Sequence, residues 1–125
     1  MLAIPTMTEF EIIENANGDT FIKYPNGLLE IYFSRILDFV FFSNSLTFGY
    51  LYLTRGIEIP KDIPLVKGVS INAICDSQGS DVSVQSINIH SFLENKKVIE
   101  TLYVVANEKT FNSKLIYFHV VGRWK

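Results

Sequence analysis

Two Asn-Gly pairs, Asn17-Gly18 and Asn26-Gly27, stand on either side of one short run of β-forming residues, Phe21-Ile22-Lys23-Tyr24. Pro25 stops that run, and Leu28 to Phe33 opens a second one. An Asn-Gly between two such runs is the strongest short-range hairpin signal, because both central residues of a type I′ turn need positive φ. The chain is therefore expected to open as a β-hairpin with a type I′ turn at Asn26-Gly27.

The rest follows the same rhythm. Leu28 to Phe42 is unusually apolar, and periodicity alone leaves a buried helix open there. Its β-branched and aromatic residues, after an Asn-Gly start, favour a strand that continues through Ser34-Arg35 or bends near it. The run Phe39-Val40-Phe41-Phe42 exceeds what one sheet face needs, so it is read either as a subunit interface or as a strand buried on both sides. Ser43-Asn44-Ser45 is a turn. Leu46, Phe48, Tyr50 and Tyr52 then alternate with Thr47, Gly49, Leu51 and Leu53. Pro60 and Pro64 end that strand, because proline cannot donate to a ladder. Val69, Ile71 and Ala73 alternate with Ser70, Asn72 and Ile74, and the polar loop Asp76–Asp81 follows. A slip in the alternation at Gln85-Ser86 reads as a bulge. Glu94 to Lys97 reads as a charged hairpin tip, Val98 to Ala106 as a strand, Asn107 to Ser113 as a loop and Leu115 to Val121 as the last strand. About seven to eight short strands at regular spacing, with no convincing helix, predict an all-β antiparallel sandwich.

In 125 residues there is chain for one core, and 48% hydrophobic residues suffice to fill it. Residues 1–14 read as a connector to a preceding shaft or segment and 15–125 as the domain. A net charge of −2 suggests no basic face, so nucleic acid is not expected as a partner. The start has neither a basic region nor a long apolar stretch, so neither a signal peptide nor membrane insertion is expected. Cys75 reads as a small buried side chain.

The residues offer little for chemistry. His90 and His119 are isolated in strands, and no zinc spacing, nucleophile elbow or phosphate loop is present. No cofactor and no metal are expected; the one route to an ion would be His119 gathered on a three-fold axis. Asp76 and Asp81 flank one loop without a bidentate partner, so a self-bonded loop is favoured over calcium. Paired carboxylates for glycoside hydrolysis would need a cleft that no motif announces. Binding remains. A sugar ring has an apolar face and a rim of hydroxyls, so its sites combine aromatic platforms with planar polar groups. Tyr50, Tyr52, Tyr103, Tyr117 and Trp124 are the candidate platforms. Asp76, Gln78, Asp81, Asn107 and Asn112 are the candidate polar partners. From these the expected ligand-binding set is Asp76, Gln78, Asp81, Asn107 and Tyr103. The expected subunit interface is Phe39, Phe41, Phe42 and Trp124.

The stretch Asn17-Gly18 … Lys23-Tyr24-Pro25-Asn26-Gly27-Leu28 resembles the opening of a recurrent C-terminal domain of phage tail fibres. The ending Phe118-His119-Val120-Val121-Gly122-Arg123-Trp124 is similar to that family's final strand. The two matches bracket Asn15 to Lys125, and the middle matches in strand rhythm alone. The resemblance implies a non-enzymatic receptor-binding tip, most simply a homotrimer, carried on a virion tail among other tail proteins. Its target would be a bacterial surface glycan, a polysaccharide or lipopolysaccharide. The alternative is a structural tail component, a trimerisation cap or connector without a small ligand.

Overall fold

The computed structural model describes residues 10–46, 49–75, 84–107 and 113–125. These form nine strands in two antiparallel sheets. In chain order they are β1 (Glu11–Glu14), β2 (Thr20–Lys23), β3 (Leu28–Asp38), β4 (Val40–Leu46), β5 (Gly49–Glu58), β6 (Lys67–Cys75), β7 (Val84–Leu93), β8 (Val98–Ala106) and β9 (Ser113–Arg123). One sheet has the order β1-β2-β3-β9-β6, the other β4-β5-β8-β7. The all-β sandwich expected from the strand rhythm is what forms. Among the described residues no helix is long and apolar enough to cross a membrane.

The opening hairpins differ from the expected turn. Asn26 does not have positive φ, whereas Gly27 sits at φ 101°. Tyr24 N–H donates to Leu28 O (2.9 Å) and Gly27 N–H to Tyr24 O (3.1 Å). This is a three-residue loop closed by a left-handed glycine, not a two-residue type I′ turn. The β1–β2 turn repeats it: Asn15 N–H donates to Asp19 O, Gly18 N–H donates to Asn15 O, and Gly18 has φ 83°. Pro25 explains the choice at the second turn. Its fixed φ suits the first central position of a type I turn, which leaves Asn26 at the next position and Gly27 at the left-handed one. The segment before Asn15, read as a connector, contributes β1 to the sheet edge.

Of the two courses open at Ser34-Arg35, the strand takes the continuous one. β3 pairs with β9 without interruption from Leu28↔Arg123 to Asp38↔Ser113. The chain instead turns at Phe39, between β3 of one sheet and β4 of the other. Phe39 is 8% exposed and its ring enters the core at this corner, so it is not available to an interface.

Both sheets turn one side inward. Leu29, Ile31 and Phe33 of β3 meet Ile116, Phe118 and Val120 of β9, and the Phe33 and Phe118 rings stack at 4.7 Å. In the second sheet the inward parity changes along the strands. Tyr52 of β5 and Leu102, Val104 and Ala106 of β8 face the core at one end, Ile57 and Ile99 at the other. Gly56, at φ 74°, lies at the change in β5, and register shifts between Ile89 and Phe92 mark it in β7. A further shift between Val84 and Ser86 is the bulge that the broken alternation predicted.

Candidate functional site

Because Leu29, Ile31 and Phe33 point inward, Glu30, Tyr32 and Ser34 point out. By the same alternation Tyr117, His119 and Val121 stand outward on β9, and Ser70, Asn72 and Ile74 on β6. The register lines them up across the sheet: Thr20, Tyr32, His119 and Asn72 in one row, Ser34, Tyr117 and Ile74 in the next. The outer face of the five-stranded sheet thus gathers aromatic and polar side chains from four strands.

Glu30 is the fixed point of this face. Tyr24 OH donates to its Oε2 (2.7 Å), and Tyr32 OH donates to its Oε1 (3.2 Å). His119 Nε2 lies 3.0 Å from the same Oε1 and donates when protonated there. The His119 ring also stacks on Tyr32, with centroids 4.3 Å apart and planes 7° from parallel. The Tyr24 bond, foremost, and then those from His119 and Tyr32 hold the Glu30 carboxyl below its usual range against the opposing effect of burial. Both phenols move the other way. Tyr24 is raised chiefly by its bond to Glu30, and Tyr32 chiefly by burial and then by the charge of Glu30. Glu30 is therefore an ionised acceptor at neutral pH. A general acid needs the opposite shift.

Beside this network lies a depression of about 220 Å³ whose lining includes Tyr32, Tyr117, Thr20 and Ser34. Tyr32 and Tyr117 keep 41% and 46% of their surface exposed. A second depression, of about 550 Å³, shares Ser34 and is lined also by Asn17, Arg35, Ile36 and Leu115. Together they form a shallow track along β3 and β9. Aromatic faces flank hydroxyls there, and the smaller pocket suits one ring rather than a drug-sized molecule.

The walls of the track are held from below. Asp19, 1% exposed, receives Arg35 Nη1 (2.8 Å) and Nη2 (3.1 Å) and Asn15 Nδ2 (3.1 Å). Asn15 Oδ1 in turn accepts the amides of Asn17 and Asp19. The first hairpin turn is thereby pinned to β3. Hydrogen bonding to Arg35, above all, lowers the Asp19 carboxyl. No group of three or more His, Cys, Asp or Glu among the described residues is placed to hold a metal.

The expected ligand set fares unevenly. Asp76, Gln78 and Asp81 lie outside the described residues, as does Asn112. Tyr103 and Asn107 are on or just after β8, in the other sheet; Tyr103 is half-buried beneath edge contacts from Phe42 and His90. Tyr52 is 2% exposed and packs in the core, so it is no platform. Tyr117 is the expected platform that the structure places beside a depression, whereas Tyr32 and Glu30 were missed. Of the expected interface residues, Phe41 and Phe42 remain 45% and 57% exposed on β4. Trp124 is committed within the chain: its Nε1–H donates to Tyr24 O (2.7 Å), and Lys23 Nζ lies 4.1 Å from its ring centre.

The two stretches that carry the tail-fibre resemblance touch each other. Trp124 N–H donates to Gly27 O (2.9 Å) and Arg123 Nη2 to Asn26 O (2.6 Å). A β-carbon on Gly27 would collide with the Arg123 guanidinium at 2.2 Å. No family model, no curated protein and no solved structure matches this chain.

Proposed function

We propose that the chain is a receptor-binding domain of a phage or prophage tail fibre, one that adheres without catalysis to a bacterial surface glycan. Tyr32 and Tyr117, both exposed beside a ring-sized depression with the Ser34 and Thr20 hydroxyls, are the observation that carries this reading. Tyrosine offers an apolar face at low entropic cost, hydroxyl-bearing neighbours satisfy the sugar rim, and Glu30 supplies an ionised acceptor alongside. A rigid sheet keeps these groups in place, so binding orders few side chains. The mutual lock of the Asn26-Gly27 turn and the Arg123-Trp124 ending supports the resemblance, because it gives those distant stretches a reason to occur together.

A trimer would present three such faces, and weak single-site contacts would add through effective concentration. Exposed Val40, Phe41 and Phe42 on the edge strand β4 favour a partner subunit there. The same apolar edge is the observation behind the second reading, a structural tail component with no small ligand.

The test is binding of labelled protein to a panel of bacteria beside matched cells stripped of surface polysaccharide. Attachment to a few strains, lost on stripping, is expected. No attachment at micromolar concentration by folded, oligomeric protein would favour the structural component instead.

A further inference from the structure

At the end of the sandwich where β5 leaves for β6 and β7 turns into β8, a cleft of about 540 Å³ lies between the proline segment and the hairpin tip. Its floor includes Ile59, Leu65 and Val98, and its rim carries Lys61, Lys96 and Lys97 with Glu58 as the one carboxylate. Among the described residues none of these three ammonium groups is in an ion pair. Three lysines against one carboxylate thus line one cavity in a chain whose net charge is −2.

The backbone fixes the hairpin wall of the cleft. Lys97 has φ 54°, the only positive φ outside glycine among the described residues. The hairpin turn sets that φ: Lys96 N–H donates to Leu93 O (3.2 Å) and Lys97 N–H to Glu94 O (3.4 Å), and a left-handed residue closes the loop as Gly27 closes the second turn. Lys97 O also accepts the Ile59 amide (3.1 Å), so the two walls are tied and the cleft is preformed.

We propose that this cleft is a second binding site, for a small organic anion whose phosphate or carboxylate meets the lysines while its body rests on the apolar floor. Compact ammonium groups suit either oxyanion as point charges. The site lies apart from the tyrosine track and does not depend on its assignment.

The test is an NMR titration of the full chain, labelled on its backbone amides, with glucuronate, glucose 6-phosphate, inorganic phosphate and neutral glucose. The expected result is saturable shifts at Ile59 and at Asn95 to Val98 with either charged sugar, and none with glucose. Phosphate alone should bind more weakly, because it lacks the body. K61Q/K96Q, which alters exposed side chains, should weaken binding at least tenfold. Lys97→Asn, which keeps a residue tolerant of left-handed φ, should weaken it as well. Tyr117→Ala should leave it unchanged. Equal response to glucose, shifts scattered without saturation over lysines elsewhere, or undiminished affinity in K61Q/K96Q would each overturn the proposal.

Discussion

Replacing Asp19 by alanine should be among the most damaging single changes outside the apolar core. Asp19 is buried, and its carboxylate accepts two hydrogen bonds from Arg35 and one from Asn15. A hydrogen bond to a charged group is worth about 1.5–3 kcal/mol, and removing one partner of a buried pair typically costs about 3–5 kcal/mol. The Arg35 side chain keeps 33% of its surface exposed, so water can solvate part of what Asp19 releases. That places the expected loss at about 3 kcal/mol, or a fall in Tm of roughly 10 °C for a domain of this size. The effect has a defined pH dependence. The folded-state carboxyl is lowered, so its stabilisation is fully present above the unfolded value of about 4 and fades as pH falls through the folded value. Urea unfolding of wild type and Asp19→Ala should therefore differ at pH 7 and converge in strong acid. A double cycle with Arg35→Ala isolates the pair. A loss below about 1 kcal/mol at neutral pH, or a difference that persists unchanged into strong acid, would show that the ion pair does not hold the first turn.

Three further changes probe separate parts of the molecule. In Glu30→Gln Tyr24 loses the bond that chiefly raises it and Tyr32 the charge that adds to its burial, so ultraviolet titration should show both ionising at lower pH than in wild type; unchanged curves would deny the network. In Gly122→Ala the new methyl would meet Leu65 Cδ2 at 2.6 Å and Gly68 O at 2.9 Å, so denaturant unfolding should show a loss of about 1–3 kcal/mol. Lys97→Gly removes left-handed strain and should raise stability by about 0.5–1 kcal/mol in the same assay; a loss would mean that the tip is not strained.

Most strand positions were legible in the sequence because alternation and turn residues are local; the turn expected at Ser43-Asn44-Ser45 is instead part of β4, which runs on to Leu46. The Val84–Ser86 bulge, the 94–97 tip and the inward set Val69, Ile71 and Ala73 all follow from such signals. Turn geometry was less legible, because Asn-Gly signals a left-handed glycine equally in two-residue and three-residue loops. Tyr24 to Leu28 closes with the longer one. The corner at Phe39 was hidden for another reason: a run of phenylalanines reads alike whether it lines an interface or carries a chain between sheets.

The site was the least legible part. Glu30, Tyr32, Tyr117 and His119 meet because β3 pairs with β9 across most of the chain, and that register has no local signature. His119 taken alone was an isolated strand histidine. Only its pairing opposite Tyr32 gives it the stacking face and the reach to Glu30. The lysine cleft is equally non-local, since it joins a proline segment to a hairpin tip that follows it by a whole strand pair.

The central claim is that the β3–β9 face binds a glycan, and calorimetric titration of surface polysaccharide from a bound strain into wild type and Y32A/Y117A tests it most directly. Both rings lie on the outer face outside the core, so the double variant should stay folded, with a lower unfolding midpoint because Tyr32 gives up its stack on His119 and its bond to Glu30. With a loss of about 1 kcal/mol or more for each stacking face, affinity should fall at least tenfold. A folded double variant that binds the polysaccharide as tightly as wild type would contradict the account.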